Sequence, residues 1–233
     1  MQVEEVLLSR WKYDAPELAP VKSALERVVK FHRTVREKHA EIANNPNLSS
    51  LGRKDAMRAF VADHAHEFVR VRKAVESVQE KIAAQRAKLV PPAPDTADVA
   101  AAVLRSEMRT MLRAMKPAER AKFLLASDAD PTMLAAVLEA PNVASGIEVD
   151  TRQRVFDRVV EATHPGEAAR LDTAERAAEL LRAAARVTFD TGSAAADFPD
   201  TATFSKAVDD AVGNTLALDA DIDRQFAGVA EAA

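Results

Sequence analysis

Five histidines and no cysteine bound the chemistry open to this chain. Without thiols there is no disulfide, no thiolate nucleophile and no zinc–thiolate cluster, so a metal or acid–base centre would have to be built from imidazole and carboxylate. The residues best placed to try are His39 and His64, with Asp63, His66 and Glu67 beside the second in sequence. Ligands on one helix usually sit three or four residues apart, whereas His64 and His66 are two apart and point to different sides. The expected role of the seam histidines is therefore that of polar residues that fix helix register, not of metal ligands. The sequence has no Gly-x-Ser-x-Gly, no glycine-rich phosphate loop and no His-Glu-x-x-His. No catalytic, cofactor-binding or metal-ligating residue is expected, and no small-molecule substrate.

Two other groups bear on binding. Arg10, Trp11, Lys12 and Tyr13 contain the only Trp and the only Tyr. Trp, Tyr and Arg anchor interfaces, so these four are candidate partner-binding residues. The favoured alternative is that both rings cover apolar core near Leu89. Arg33, Arg36 and Lys38, then Arg53, Lys54 and Arg58, then Arg70, Arg72 and Lys73 give the first part of the chain a basic bias that could follow phosphates. Acidic residues interrupt each group, and no stacking aromatics alternate with them. The net charge of −4 hides an asymmetry: residues 1–90 hold 17 Lys and Arg against 12 Asp and Glu, while residues 190–233 hold 2 against 9. A basic front and an acidic tail can attract different partners, or each other.

The elements that carry these residues are helical. Apolar residues make up 48% and aromatics 5%, with six Gly and abundant Ala, Leu, Glu and Arg, which favours helix and leaves little for strands. Leu18, Val21, Leu25, Val28, His32, Val35, His39 and Ile42 alternate three and four apart, the heptad rhythm of a coiled-coil seam. Met57, Val61, His64, Phe68, Val71, Val75, Val78, Ile82, Gln85 and Leu89 repeat it. Between the runs, Asn44 to Ser50 reads as a loop. The spacing predicts an all-α fold with a long antiparallel helical hairpin, coiled-coil-like, followed by a small bundle of short helices. Its second helix outruns the first, so the strip through Val78, Ile82 and Leu89 is expected to promote self-association.

Further on, Pro91-Pro92-Ala93-Pro94 breaks the helical pattern, and Thr96 is a plausible cap for a helix beyond it. Lys116-Pro117 and Asp130-Pro131 each read as a helix start, because proline's missing amide donor costs nothing in the first turn. Asp150 and Asp172 are expected to cap further helices, with a stop at His164-Pro165-Gly166. Thr191 to Pro199 is small and polar and reads as a linker. The expected organisation is a helical hairpin over residues 1–90, a proline-rich linker over 91–98, a small bundle over 99–189, and a linker with an acidic helix or tail over 190–233.

The segment Met115 to Ile147, with Asp130-Pro131-Thr132-Met133-Leu134-Ala135-Ala136-Val137-Leu138-Glu139-Ala140-Pro141 and Ser145-Gly146-Ile147, resembles segments of uncharacterised phage and prophage helical proteins. The loop Asn45 to Arg53 between its two helices is similar to loops in the same kind of protein. The resemblance implies a phage-encoded setting rather than an activity. No apolar run approaches the ~20 residues of a membrane span, and Glu4 and Glu5 stand where a signal peptide would be basic. A cytoplasmic or virion location follows as an expectation. The expected function is structural or protein-interacting, with other proteins and copies of itself as partners. The second reading is a nucleic-acid-associated protein using the basic hairpin.

Overall fold

A computed structural model describes residues 3–91 and 98–229. Among them 80% are helical with no strand, as the composition implies. The elements are α1 (Val3–Ser9), a 3-10 turn at Pro16–Leu18, α2 (Ala19–Ala43), α3 (Ser50–Asp63), α4 (Ala65–Arg86), α5 (Val99–Ala114), α6 (Pro117–Leu124), α7 (Pro131–Glu139), α8 (Asn142–Ser145), α9 (Val149–Thr163), α10 (Pro165–Ala195), α11 (Thr201–Val212) and α12 (Leu216–Gln225). They form two compact units, one from residues 1–86 with 170–233, the other from residues 87–169. This division cuts across the linear segments expected. The N-terminal helices share their unit with the last 64 residues, which include Arg170 to Phe189 from the expected bundle. Most of the expected proline linker, with Thr96, lies outside the described residues; α5 is capped by Asp98, whose carboxylate accepts the Ala101 amide at 2.9 Å.

In the first unit α2 packs against α3 and α4. Every apolar seam position read from the sequence is buried, but so are Ala24, Val29 and Phe31 on α2 and Phe60, Ala65, Val69 and Ala74 on α3 and α4. The buried stripe is thus wider than a two-helix heptad seam, because α1 packs on α2 while α11 and α12 pack on α4. Val78, Ile82 and Leu89 are buried within the chain, so the strip expected to drive self-association is already covered. The second helical run is interrupted at His64, whose imidazole Nδ1 and backbone amide both approach the Phe60 carbonyl, at 2.9 and 3.1 Å. A side chain competing with the backbone for one acceptor weakens a helix at that turn.

The core of this unit is centred on Phe68, fully buried on α4. Its ring lies edge-on to Phe31 (4.8 Å between centroids), Phe204 (5.0 Å) and Phe189 (5.6 Å). These come from α2, α11 and α10. Residues 191–195, expected to be linker, are the last turn of α10, and their smallness has a packing cause. A methyl group on Gly192 would lie 2.8 Å from the Phe68 ring and 2.9 Å from the Phe204 ring. Likewise, α10 does not begin at Asp172 but at Pro165, directly after His164 caps α9. Asp172 instead accepts from Arg86, as does Glu175.

The second unit is a bundle of short helices whose core is Leu112, Leu124, Met133, Leu134, Val137, Ile147 and Val155. Lys116-Pro117 and Asp130-Pro131 open α6 and α7 as expected, and the Asp130 carboxylate accepts the Thr132 amide at 2.6 Å. Short helices multiply unsatisfied C-terminal carbonyls, and arginines satisfy them here. Arg120 donates to the carbonyls of Leu112 (2.7 Å), Met115 (2.8 Å) and Gly146. Arg152 donates to Val137 and Leu138, both at 2.7 Å, and to Ala140. Arg158 donates to Ser127 at 2.8 Å and to Ala126.

Two outcomes follow for stability. Gly192→Ala gains about 1 kcal/mol of helix propensity but overpacks a rigid aromatic contact, a change that typically costs ~1–3 kcal/mol, so it is expected to be net destabilising in urea unfolding. An unchanged or higher midpoint would show that the rings yield freely. Arg120→Lys cannot reproduce a planar fork over several carbonyls and is expected to lose about 2–3 kcal/mol, nearly as much as Arg120→Met.

Candidate functional site

The residues singled out in the sequence are dispersed by the fold. Trp11 and Tyr13 are half-buried and pack edge to face at 5.2 Å, with the indole N–H donating to the Tyr13 carbonyl at 2.8 Å. Arg10 and Lys12 flank them, exposed to solvent. His39 is exposed and lines a shallow cavity of about 420 Å³ with Ile42, Lys54, Met57 and Asp197, whereas His64 is taken up by Phe60. Among the described residues no group of three or more His, Asp or Glu is placed to hold a metal ion.

The basic residues meet the chain's own acidic end. On α4, Arg72 grips Asp209 with two hydrogen bonds of 2.6 and 3.0 Å, Arg70 pairs with Asp221 at 2.7 Å, Lys73 with Asp219, and Lys81 approaches Asp223 at 3.8 Å. On α3, Lys54 pairs with Asp197, and Arg58 donates to the Ala196 and Asp197 carbonyls at 3.2 Å. The Lys73 ammonium beside Asp219 and the Arg70 guanidinium beside Asp221 hold those carboxyls below their usual range. Of the two outcomes the charge asymmetry allowed, the described ion pairs realise attraction within the chain. Partly exposed pairs contribute little individually. Phe204, Ile222 and Phe226, all buried, anchor the segment, and the charges set its register.

One polar cluster was not read from the sequence as a cluster. Glu4 on α1 is fully buried; its Oε1 accepts from His32 Nδ1 at 3.1 Å and from Arg36 at 2.8 Å. The other imidazole nitrogen, Nε2, faces the Thr191 hydroxyl at 3.1 Å. The tautomer this arrangement requires is Nδ1–H donating to the carboxylate and Nε2 accepting from the hydroxyl. Carboxylate, imidazole and hydroxyl in this order form a nucleophile relay when the hydroxyl opens onto a substrate site. Thr191 instead sits within α10, and the cavities described are lined by other residues. Its visible work is to tie α1, α2 and α10 together, with contacts 28 and 159 residues apart in sequence. His32 is therefore not a seam residue replaceable by leucine without loss, as register alone would imply, because its removal withdraws a partner from buried Glu4.

The second unit carries an apolar-lined groove. A cavity of about 750 Å³ runs between α7 and α9. From α7, Pro131, Leu134, Ala135 and Leu138 follow the i, i+3, i+4, i+7 spacing of one helix face; from α9, Arg152, Phe156, Val159 and Thr163 do much the same. Arg105, Glu139 and Arg158 complete its polar wall. Arg105 and Arg109 share the Glu139 carboxylate at 2.8 and 3.0 Å, which holds its pKa below the usual value. Neither Arg152 nor Arg158 pairs with a carboxylate among the described residues; each donates to carbonyls through the terminal nitrogens of its guanidinium. The signal that could have found this groove is the apolar stripe of residues 131–138 together with the arginine spacing on α9.

No protein-family model matches the chain, and comparison with curated proteins and with solved structures returns no match. No helix of the described residues is long and apolar enough to cross a membrane.

Burial outweighs the neighbouring Glu4 charge and holds the His32 imidazole below its ordinary value of 6.5. Burial alone would raise the Glu4 carboxyl, but its backbone hydrogen bond, Arg36 and His32 together hold it lower. Both signs agree. The unfolded chain takes up a proton at His32 before the folded chain does, so stability is complete above about pH 6.5 and falls as the pH drops below it, with Glu4 adding a further loss near and below about pH 4.5. Chemical denaturation from pH 7.5 to 5 is expected to show a steeper loss for the native chain than for His32→Gln. Equal slopes would remove His32 as the group responsible.

Proposed function

We propose that the protein is a non-enzymatic interaction protein that engages a segment of another protein through the groove between α7 and α9. The observation that carries this reading is the groove itself: a cavity of about 750 Å³, of a size suited to specific ligands, with apolar side chains from two helices and a charged rim. Apolar grooves of this kind receive helices. Its proposed setting is a phage or prophage, as a virion component or assembly factor; the support is the resemblance carried by Met115 to Ile147, the segment that forms α6, α7 and α8. The nucleic-acid reading loses ground on the other unit, where Lys54, Arg70, Arg72 and Lys73 are already paired with aspartates.

A photo-crosslinking side chain at Ala135, which is exposed in the groove, is expected to give a discrete protein adduct in the cells that express the chain. The same group at Glu179, exposed on α10, is not. Labelling at Glu179 alone, or none at Ala135, contradicts the proposal. In parallel, the full chain is expected to show no salt-sensitive binding to duplex DNA or RNA at about 50 mM salt; binding that collapses by about 200 mM would favour the second reading instead.

A further inference from the structure

The groove's charge says more about what it receives. Its wall holds the guanidiniums of Arg105, Arg152 and Arg158 against the single carboxylate of Glu139, which is itself shared with Arg109 outside the lining. The carbonyls that Arg152 and Arg158 cap offset only part of a charge, since a helix C-terminus carries about half of one. The apolar floor lowers the local dielectric and strengthens any ion pair formed above it. Ala135, exposed and small, leaves room in the trough, while Leu138, Phe156 and Val159, each half-buried, leave apolar surface open along it.

Resting on the reading of this groove as a protein-binding site, we infer that its occupant is an acidic amphipathic helix of a partner protein. The helix lays its apolar residues between Leu138 and Phe156 and turns carboxylates toward Arg152 and Arg158. A cationic helix is disfavoured because it would set like charges against these arginines beside a desolvated surface. Guanidinium groups already fixed by carbonyl hydrogen bonds lose little freedom on meeting a carboxylate, so selectivity comes at small entropic cost.

The test is selection of a displayed library of amphipathic helices of about 16 residues, with a fixed apolar face and a randomised polar face, against the full chain. Ala135→Trp, which fills the trough, serves for counter-selection after its circular dichroism and melting are shown to match the native chain. Enriched helices are expected to be net acidic, with carboxylates clustered on one flank, and to bind Arg158→Gln about tenfold more weakly, the loss of one charge-assisted contact. A binding titration with palmitate runs alongside. Enriched helices of neutral or basic character overturn the acidic partner and leave the protein-binding groove standing. No enrichment, with a protein adduct still formed at residue 135, overturns the helix and leaves the interaction reading standing. Palmitate binding that Ala135→Trp abolishes, without any helix, overturns both.

Discussion

The contact on which the first unit depends is the edge-to-face packing around Phe68. One ring on α4 touches phenylalanines from α2, α10 and α11, and so joins segments separated by most of the chain. Rings in this arrangement add roughly 0.5–1.5 kcal/mol per pair to the burial of their own large apolar surface. The approach of α10 to this cluster requires a residue without a side chain, which Gly192 supplies. The ion pairs between α4 and the acidic helices lie around this contact and follow from it. They select which face of α11 and α12 meets α4, while the buried rings of Phe204 and Phe226 hold those helices in place. The Glu4, His32 and Thr191 cluster adds a polar tie to the same helices.

Much of this was legible from local rules. The heptad runs marked the apolar buried positions of α2, α3 and α4; the loop after Asn44 and the proline starts at Lys116 and Asp130 fell where the capping rules put them. What was missed depended on distant partners. Thr191 and Gly192 look like linker residues in isolation, and only the His32 imidazole that meets the first and the phenylalanine rings against the second explain them. Pro165 reads as a stop because proline cannot continue a helix, yet it serves equally well as a first residue, and the turn at His164 is shared by two helices. Arg120, Arg152 and Arg158 resemble solvated surface charge, since nothing in their own sequence neighbourhood reveals the carbonyls they reach. Glu4 gave no signal, because a carboxylate in an exposed-looking terminal helix acquires meaning only through His32 and Arg36.

The two units differ in how far they satisfy themselves. In the first, many strong cations meet a nearby anion or a carbonyl, and the seam expected to recruit another copy is covered from within. In the second, small helices leave an apolar trough, and Arg120, Arg152 and Arg158 donate to carbonyls in place of carboxylates. Interaction surfaces persist where burial and pairing are incomplete, which is why the functional proposal rests on α7 and α9 and not on the basic helix that the sequence brought forward.

If Phe68 unites α4 with the last third of the chain, the C-terminal helices are part of the core and not an appended acidic tail. Native-state hydrogen exchange, residue by residue, measures this most directly. Amides of α4, the C-terminal half of α10, and α11 around Phe204 and Val208 are expected to open together, with one free energy and one denaturant dependence. Fast, denaturant-independent exchange throughout residues 200–229 while α4 stays protected would contradict it, and would return the acidic segment to the status of a tail.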